Sequence, residues 1–349
     1  MELKIISATA DRAEWDALIE RLPPHLRDVH MTSAYGRVQE ELGGSSIAAV
    51  MEIGSDFVFQ SFIKKNTPFD VNRFDLTNPY GFGGPVSNVD APSDLREIGY
   101  KFRSQLAQCL SANVVAEYCC LHPLLADHQL QLTRGLPVIF TKPVIAIDLE
   151  KFSEATVRRR VRRGIKTARD LGWVVKEVGG DPVNYLGFAE LYRRSMDAKN
   201  ASQRWRFGIS YFEKHDVEVG ARWFYIDGHR ALLTIGASET AYAHLLGSDG
   251  ERRDDEMDAL LYFQTALALR SSGYKRFHLG GGLTNNLDDS LLAFKSGFSD
   301  LRYQVGCYER IYDMAAYGVL TEQKIAAEIS ERGRMSKSNW FPAYRREFV

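Results

Sequence analysis

The residues of this 349-residue chain that could do chemistry are glycines, aromatics and cations in a few tight clusters. Gly280-Gly281-Gly282 closes the run Lys275–Leu279, and Phe294-Lys295 follows in a helical pattern whose apolar face is Leu291, Phe294 and Phe298. A glycine triplet at the carboxyl end of a strand leaves room for a ligand or a close backbone crossing. Lys295, off the apolar face, is expected to point away from the core. A second cluster, Tyr80-Gly81-Phe82-Gly83-Gly84, is expected to be a binding loop, where backbone N–H groups approach a ligand and aromatics stack on it. The plainer alternative there is a wide surface turn. Asp75, just before the loop, and His244, in the alternating run Thr240–Gly247, are the candidate proton acceptors. A turn cap and a structural hydrogen bond are the competing roles for these two.

Familiar local signatures are missing. No phosphate-binding G-x-x-x-x-G-K-[ST], dinucleotide G-x-G-x-x-G after a strand, H-E-x-x-H, C-x-x-C or G-x-S-x-G occurs, so nucleotide hydrolysis, zinc proteolysis and serine hydrolysis lack their usual motifs, and no metal is expected. The four cysteines, Cys109, Cys119, Cys120 and Cys307, form no repeated spacing and are expected to be reduced thiols in a cytoplasmic protein. The first dozen residues contain no signal-peptide apolar region, and no apolar stretch is long enough to span a bilayer.

The charge is unevenly spread. The chain carries a net −1, yet Lys151–Asp170 holds eight basic residues against two acidic ones. Val157, Val161, Ile165 and Ala168 recur at helical spacing within it, so the segment is expected to form a helix over 153–172, capped by Ser153, with arginines covering the solvated arc. Arg158, Arg159, Arg160, Arg162 and Arg163 crowd so much like charge together that a phosphate-rich polyanion such as RNA competes with a plain solvated face, with membrane headgroups a third reading.

These clusters need elements to hold them. With 45% hydrophobic residues, the length suits about two domains, each able to bury its own core. Strand, helix and hairpin patterns recur in the same order twice. The first copy has alternating runs Ser46–Ile53 and Phe57–Lys64 and a helix from Ser93 to about Ala112. The second has a strand Trp173–Val178, a helix started by Asp181-Pro182, three strands between Ala221 and Gly247, and a long helix Asp254–Ser272. Hairpins exclude an all-parallel sheet. The expected class is mixed α/β in two tandem units.

The order of five pieces is recognisable: Asn78–Pro85, the arginine-rich helix, Tyr242–Ser248, His278–Gly282 and Phe294–Phe298. Together they resemble the FemAB-like branch of the GNAT acyltransferases over nearly the whole chain. The resemblance implies two tandem GNAT-like domains, each a mixed, largely antiparallel sheet flanked by helices. Domain 1 would be 1–150 plus about 305–349, and domain 2 would be 151–304. It also implies an acyltransferase moving an acyl, favoured as aminoacyl, group from a tRNA ester to an amine on a small metabolite, peptide or cell-envelope precursor. Aminoacyl-tRNA would be the donor substrate and no bound cofactor would be needed; acyl-CoA is the alternative donor, and a catalytically silent binding module is a further alternative. Under this resemblance Phe294, Arg159, Arg160, Arg163, Gly281 and Gly282 would engage the donor, Tyr80–Gly84 the acceptor, and Lys295 would hold a phosphate or stabilise carbonyl charge. The family's CoA-binding turn is not matched. Asp254, Asp255 and Glu256 at the long helix's start suit its dipole but repel a pyrophosphate.

Overall fold

A computed structural model of the chain describes residues 3–110, 113–179, 182–250 and 255–347. Asp181 and Asp254, expected at helix starts, lie outside these residues. The chain divides into two compact units, one of 1–23, 30–140 and 306–349, the other of 24–29 and 141–305.

In chain order the first stretch comprises β1 (Leu3–Ser7), α1 (Arg12–Glu20), α2 (Ser33–Glu40), β2 (Ser45–Ile53), β3 (Asp56–Asn66), β4 (Phe74–Thr77), β5 (Val86–Ser87), α3 (Pro92–Leu110), β6 (Val114–Cys120) and α4 (Ala126–Leu132). The middle stretch follows with β7 (Ile139–Asp148), α5 (Arg159–Asp170), β8 (Lys176–Val178), α6 (Pro182–Ala198), α7 (Ile209–Val219), β9 (Arg222–Ile226), β10 (Arg230–Ala237), β11 (Thr240–Ser248), α8 (Asp255–Ser271), β12 (Arg276–Gly281) and α9 (Ser290–Lys295). The last stretch holds β13 (Arg302–Ile311) and α10 (Met314–Arg332).

The first unit's strands run in the order β1-β2-β3-β4-β6-β13, with β5 on β3; the second unit's run β7-β12-β11-β10-β9-β8. Within each unit the strand pairing is antiparallel apart from one parallel pair, β4 with β6 and β11 with β12. That is the mixed α/β architecture expected. In the first unit Phe62, Leu76, Val114 and the α3 face Leu95, Ile98, Phe102 and Leu106 form the core. In the second, Val161, Ile165 and Ala168 of α5 pack with Met257, Leu260, Leu261 and Phe263 of α8 against Phe277 and Leu279. Burying each large side chain of this kind stabilises the unit by about 1.5–3 kcal/mol.

Three expectations need correction. The basic helix starts at Arg159, not Ser153. Thr156 turns back on Ser153 through its N–H (3.1 Å) and its hydroxyl (2.8 Å), while Arg158 adopts extended backbone and caps α5. The strand expected from Trp173 is reduced to Lys176–Val178, because only those residues pair with β9. The cysteines are not all thiols: Cys307 on β13 lies directly opposite Cys120 on β6, and a disulfide joins them. Cys109 and Cys119 are free.

Candidate functional site

The second unit's parallel ladder is short. β11 and β12 pair only through Thr240↔Arg276, Ala241↔Phe277 and Tyr242↔His278, yet β11 continues to Ser248 and β12 to Gly281, so the strands part beyond Tyr242. At that point β11 bulges. Thr234 pairs with Ala243 and Leu233 with Leu245, leaving His244 as an extra residue. A bulge breaks the ladder locally and re-aims side chains. His244 is half-buried, its Nε2 3.5 Å from the Tyr211 hydroxyl and its ring 4.8 Å from that of His215. His215 lies one turn along α7 from Tyr211, whose carbonyl is 2.8 Å from its Nδ1, and burial pushes its imidazole down to about 4, so it is neutral at pH 7.

Lys295 does not point into solvent as expected. It is 8% exposed, and its ammonium donates to the Gly281 carbonyl at 2.8 Å, at the end of β12. Burial, then repulsion from Lys142, against attraction from Asp289, brings its pKa down to about 7. The position follows from α9, a helix of six residues whose first N–H groups, at Leu291 and Leu292, donate to Asp289 at 2.9 and 3.0 Å. The other Asp289 oxygen accepts from the N–H groups of Leu283 and Thr284, and these backbone bonds hold the carboxyl down to about 2. The glycines serve this close packing. A Cβ on Gly282 would sit 2.5 Å from the Asp289 carboxyl carbon, and one on Gly281 would sit 2.7 Å from the Pro143 carbonyl. Phe294 turns the other way and packs on Tyr262 and Phe298.

The arginines of α5 divide by partner. Arg158 pairs with Asp300 at 2.6 Å, Arg160 with Asp255 at 2.7 Å and Arg169 with Glu154 at 2.8 Å, while Arg162 donates to the carbonyls of Glu154, Ala155 and Val157. Arg159 and Arg163 are exposed and have no hydrogen bond or ion pair among the described residues. The start of α8 is acidic with Asp255, Glu256 and Asp258. Buried Arg230 joins Asp258 (3.1 Å) on α8 to Asp249 (2.9 Å), the residue after β11.

The first unit has an equivalent parting of strands, and its own loop closes it. Beyond Thr77↔Tyr118 the ladder is continued by the Asn78 side chain, which accepts from Cys120 N–H at 2.9 Å, and by Gly83 N–H, which donates to the Cys120 carbonyl at 2.8 Å. Tyr80 is held through its N–H by Gln39 (3.0 Å) and through its carbonyl by the Tyr35 hydroxyl (2.6 Å); burial pushes its phenol up to about 12. Gly81 has φ +109°, and a Cβ there would meet His30 Nε2 at 2.5 Å, so only glycine fits. Phe82 lies edge-on between the His30 and His122 rings, and the Gly83 carbonyl accepts from Gln129 at 2.8 Å. Gly84 has φ +96° and would set a Cβ 2.7 Å from Leu121. Asp75 is buried, bonded by Tyr344 and Arg345, each at 2.5 Å, and burial raises its pKa against the pull of Arg345. The structure thus places Lys295, Gly281 and Gly282 at the end of β12 and His244 on the bulge of β11, and gives Asp75 and Tyr80–Gly84 to the first unit. The bulge at His244 and the Asn78 bridge were not foreseen. An Asn next to the end of a strand was the only signal for the bridge.

No protein-family model matches the chain, and no curated protein matches it. Among solved structures, FemX superposes with a TM-score of 0.68 at 15% identity, over 91% of this chain and 99% of that one. The chain has the FemX fold. That fold also extends to the C-terminal domain of a lysylphosphatidylglycerol synthetase from Agrobacterium fabrum (TM-score 0.56, 14% identity, 93% of this chain and 98% of that one). It extends further to L-PGS from Bacillus licheniformis (TM-score 0.52, 11% identity, 90% and 96%). Among the described residues no helix is long and apolar enough to cross a membrane.

Proposed function

We propose that the chain is an acyltransferase whose second unit carries the reaction, moving an aminoacyl group from a tRNA ester to an amine. The observation that supports this most directly is Lys295, a buried cation with a pKa of about 7 at the end of β12, just past the point where β11 departs. A carbonyl seated in that opening would meet a positive charge as its oxygen becomes negative. The amine nitrogen attacks the ester carbonyl, the tetrahedral adduct collapses, the C–O bond to the ribose breaks and the ribose hydroxyl leaves with a proton taken from the nitrogen. His244, with Tyr211 behind it, is the proton carrier we assign.

The donor assignment rests on charge. Arg159 and Arg163 offer unpaired positive charge on α5, which packs on α8 with Gly164 close to Ala259. The start of α8, where a coenzyme pyrophosphate would need N–H donors in a neutral or positive field, is acidic and tied to Arg230. This favours tRNA over acyl-CoA. The amine would belong to a small metabolite, a peptide or a cell-envelope precursor. Mass spectrometry of acylated amines after incubation with pools of charged tRNA and of acyl-CoA tests the assignment. Product from charged tRNA is expected. Product from acyl-CoA alone would reverse the donor, and product from neither would remove catalysis.

A further inference from the structure

The first unit contains a cavity of about 510 Å³ between the turn that follows α2 and the ends of β3 and the C-terminal segment. Gly43, Gly44, Ser45, Lys64, Lys65 and Arg345 line it, and no acidic residue does. That is three cations in one concavity of a chain whose net charge is −1.

The charges are poorly answered from within. Asp75 stands across the ladder from Lys65, yet its carboxylate is bonded to Tyr344 and Arg345. Arg345 spends Nε on Asp75 and Nη2 on the Lys65 and Asn66 carbonyls at 3.0 and 2.6 Å. Lys65 is half-buried, and its ammonium has no acceptor among the described residues; burial and the nearby Arg345 both lower its pKa. Lys64 lies over the Phe74 ring at 4.3 Å, which steadies the charge without neutralising it. Gly43 and Gly44, at φ +84° and +103°, give a wall without side chains, and a Cβ on Gly44 would press to 2.6 Å from the Lys64 carbonyl. A cation such as Lys65, withdrawn from water without an acceptor, is costly, and a multiply charged anion offsets that cost.

We propose that this cavity binds a phosphate group, either free phosphate or a phosphomonoester or diphosphate carried by a small molecule. The volume lies within the usual range for small-molecule sites and leaves room for an organic moiety beside the phosphate. The site is independent of the acyl-transfer assignment, since none of its residues belongs to the second unit.

Calorimetric titration of the full chain with inorganic phosphate, pyrophosphate and glucose 6-phosphate at low ionic strength tests it. Saturable binding of at least one is expected, weakening at least tenfold in Lys65→Gln and surviving in Lys65→Arg. Lys101→Gln, on the solvated side of α3 and outside the cavity, should leave it unchanged. Tighter binding of glucose 6-phosphate than of phosphate identifies the carried group as the ligand, and the reverse order identifies the free ion. Absence of saturable binding, or equal weakening by Lys65→Gln and Lys101→Gln, overturns the proposal. Circular dichroism of Lys65→Gln, with the retained affinity of Lys65→Arg, separates loss of the site from loss of the fold.

Discussion

Replacing Lys295 by methionine should cost activity and add stability. The unfolded chain holds the lysine's proton up to 10.5, while the folded chain releases it at about 7. The protonated form therefore opposes folding fully below pH 7, and the opposition fades as the pH rises from 7 to 10.5. At about 1.4 kcal/mol per pH unit, the burden at pH 7 is roughly 4 kcal/mol. Methionine keeps the length and removes the charge but leaves the Gly281 carbonyl without its donor, a loss of about 1–3 kcal/mol. A net gain of about 1–3 kcal/mol at pH 7 is expected, with turnover reduced about 100-fold if the cation faces the developing oxyanion. Urea unfolding of both proteins at pH 7 and pH 9.5 reads the linkage directly. The variant's advantage should shrink by roughly 3 kcal/mol between these pH values, because only the wild type sheds the burden. An advantage that does not change with pH would show that Lys295 folds with an ordinary proton affinity, and unchanged turnover would remove it from the reaction.

Arg159→Gln with Arg163→Gln should lower the slope of log affinity for charged tRNA against log salt by about 2, one for each phosphate contact removed; Arg160→Gln, whose charge is engaged by Asp255, should change it less, and equal slopes would make α5 a scaffold only. Gly282→Ala should destabilise the second unit by a few kcal/mol, because its Cβ would sit 2.5 Å from the Asp289 carboxyl carbon; denaturation within about 0.5 kcal/mol of wild type would refute the tight packing. Asp289→Asn should remove a contribution to stability that is fully present above pH 3.8 and disappears as pH falls through about 2, so the two proteins should converge in acid; parallel acid-unfolding curves would contradict this.

The parts of the molecule that follow a period could be read from the sequence. The stripe Val161, Ile165, Ala168 is buried as its spacing required, and β9 and β10 form a hairpin that turns at Asp227-Gly228, residues suited to a tight turn. What escaped depended on partners far along the chain. Lys295 reads as outward because α9 is too short for its apolar face to dictate every side chain, and the Gly281 carbonyl that receives it is fixed by β12. The run Thr240–Gly247 alternates well enough to conceal the extra residue at His244, since a bulge is defined by the opposite strand. The disulfide needed the register of β13 on β6, with partners 187 residues apart. The turn at Tyr80–Gly84 looked open because its glycines were visible and its tethers, Gln39, Tyr35 and Gln129, were not.

Residues 24–29 belong to the second unit although they lie early in the chain. There the Tyr242 hydroxyl donates to the Asp28 carboxylate, and Ser238 donates to the Pro24 carbonyl at 2.8 Å. Cutting the gene at the obvious midpoint would therefore yield a C-terminal product deprived of a borrowed strap, with a phenol stranded where β11 and β12 part. Dissection by truncation would injure both halves; supplying the missing hexapeptide in trans would be the rational repair.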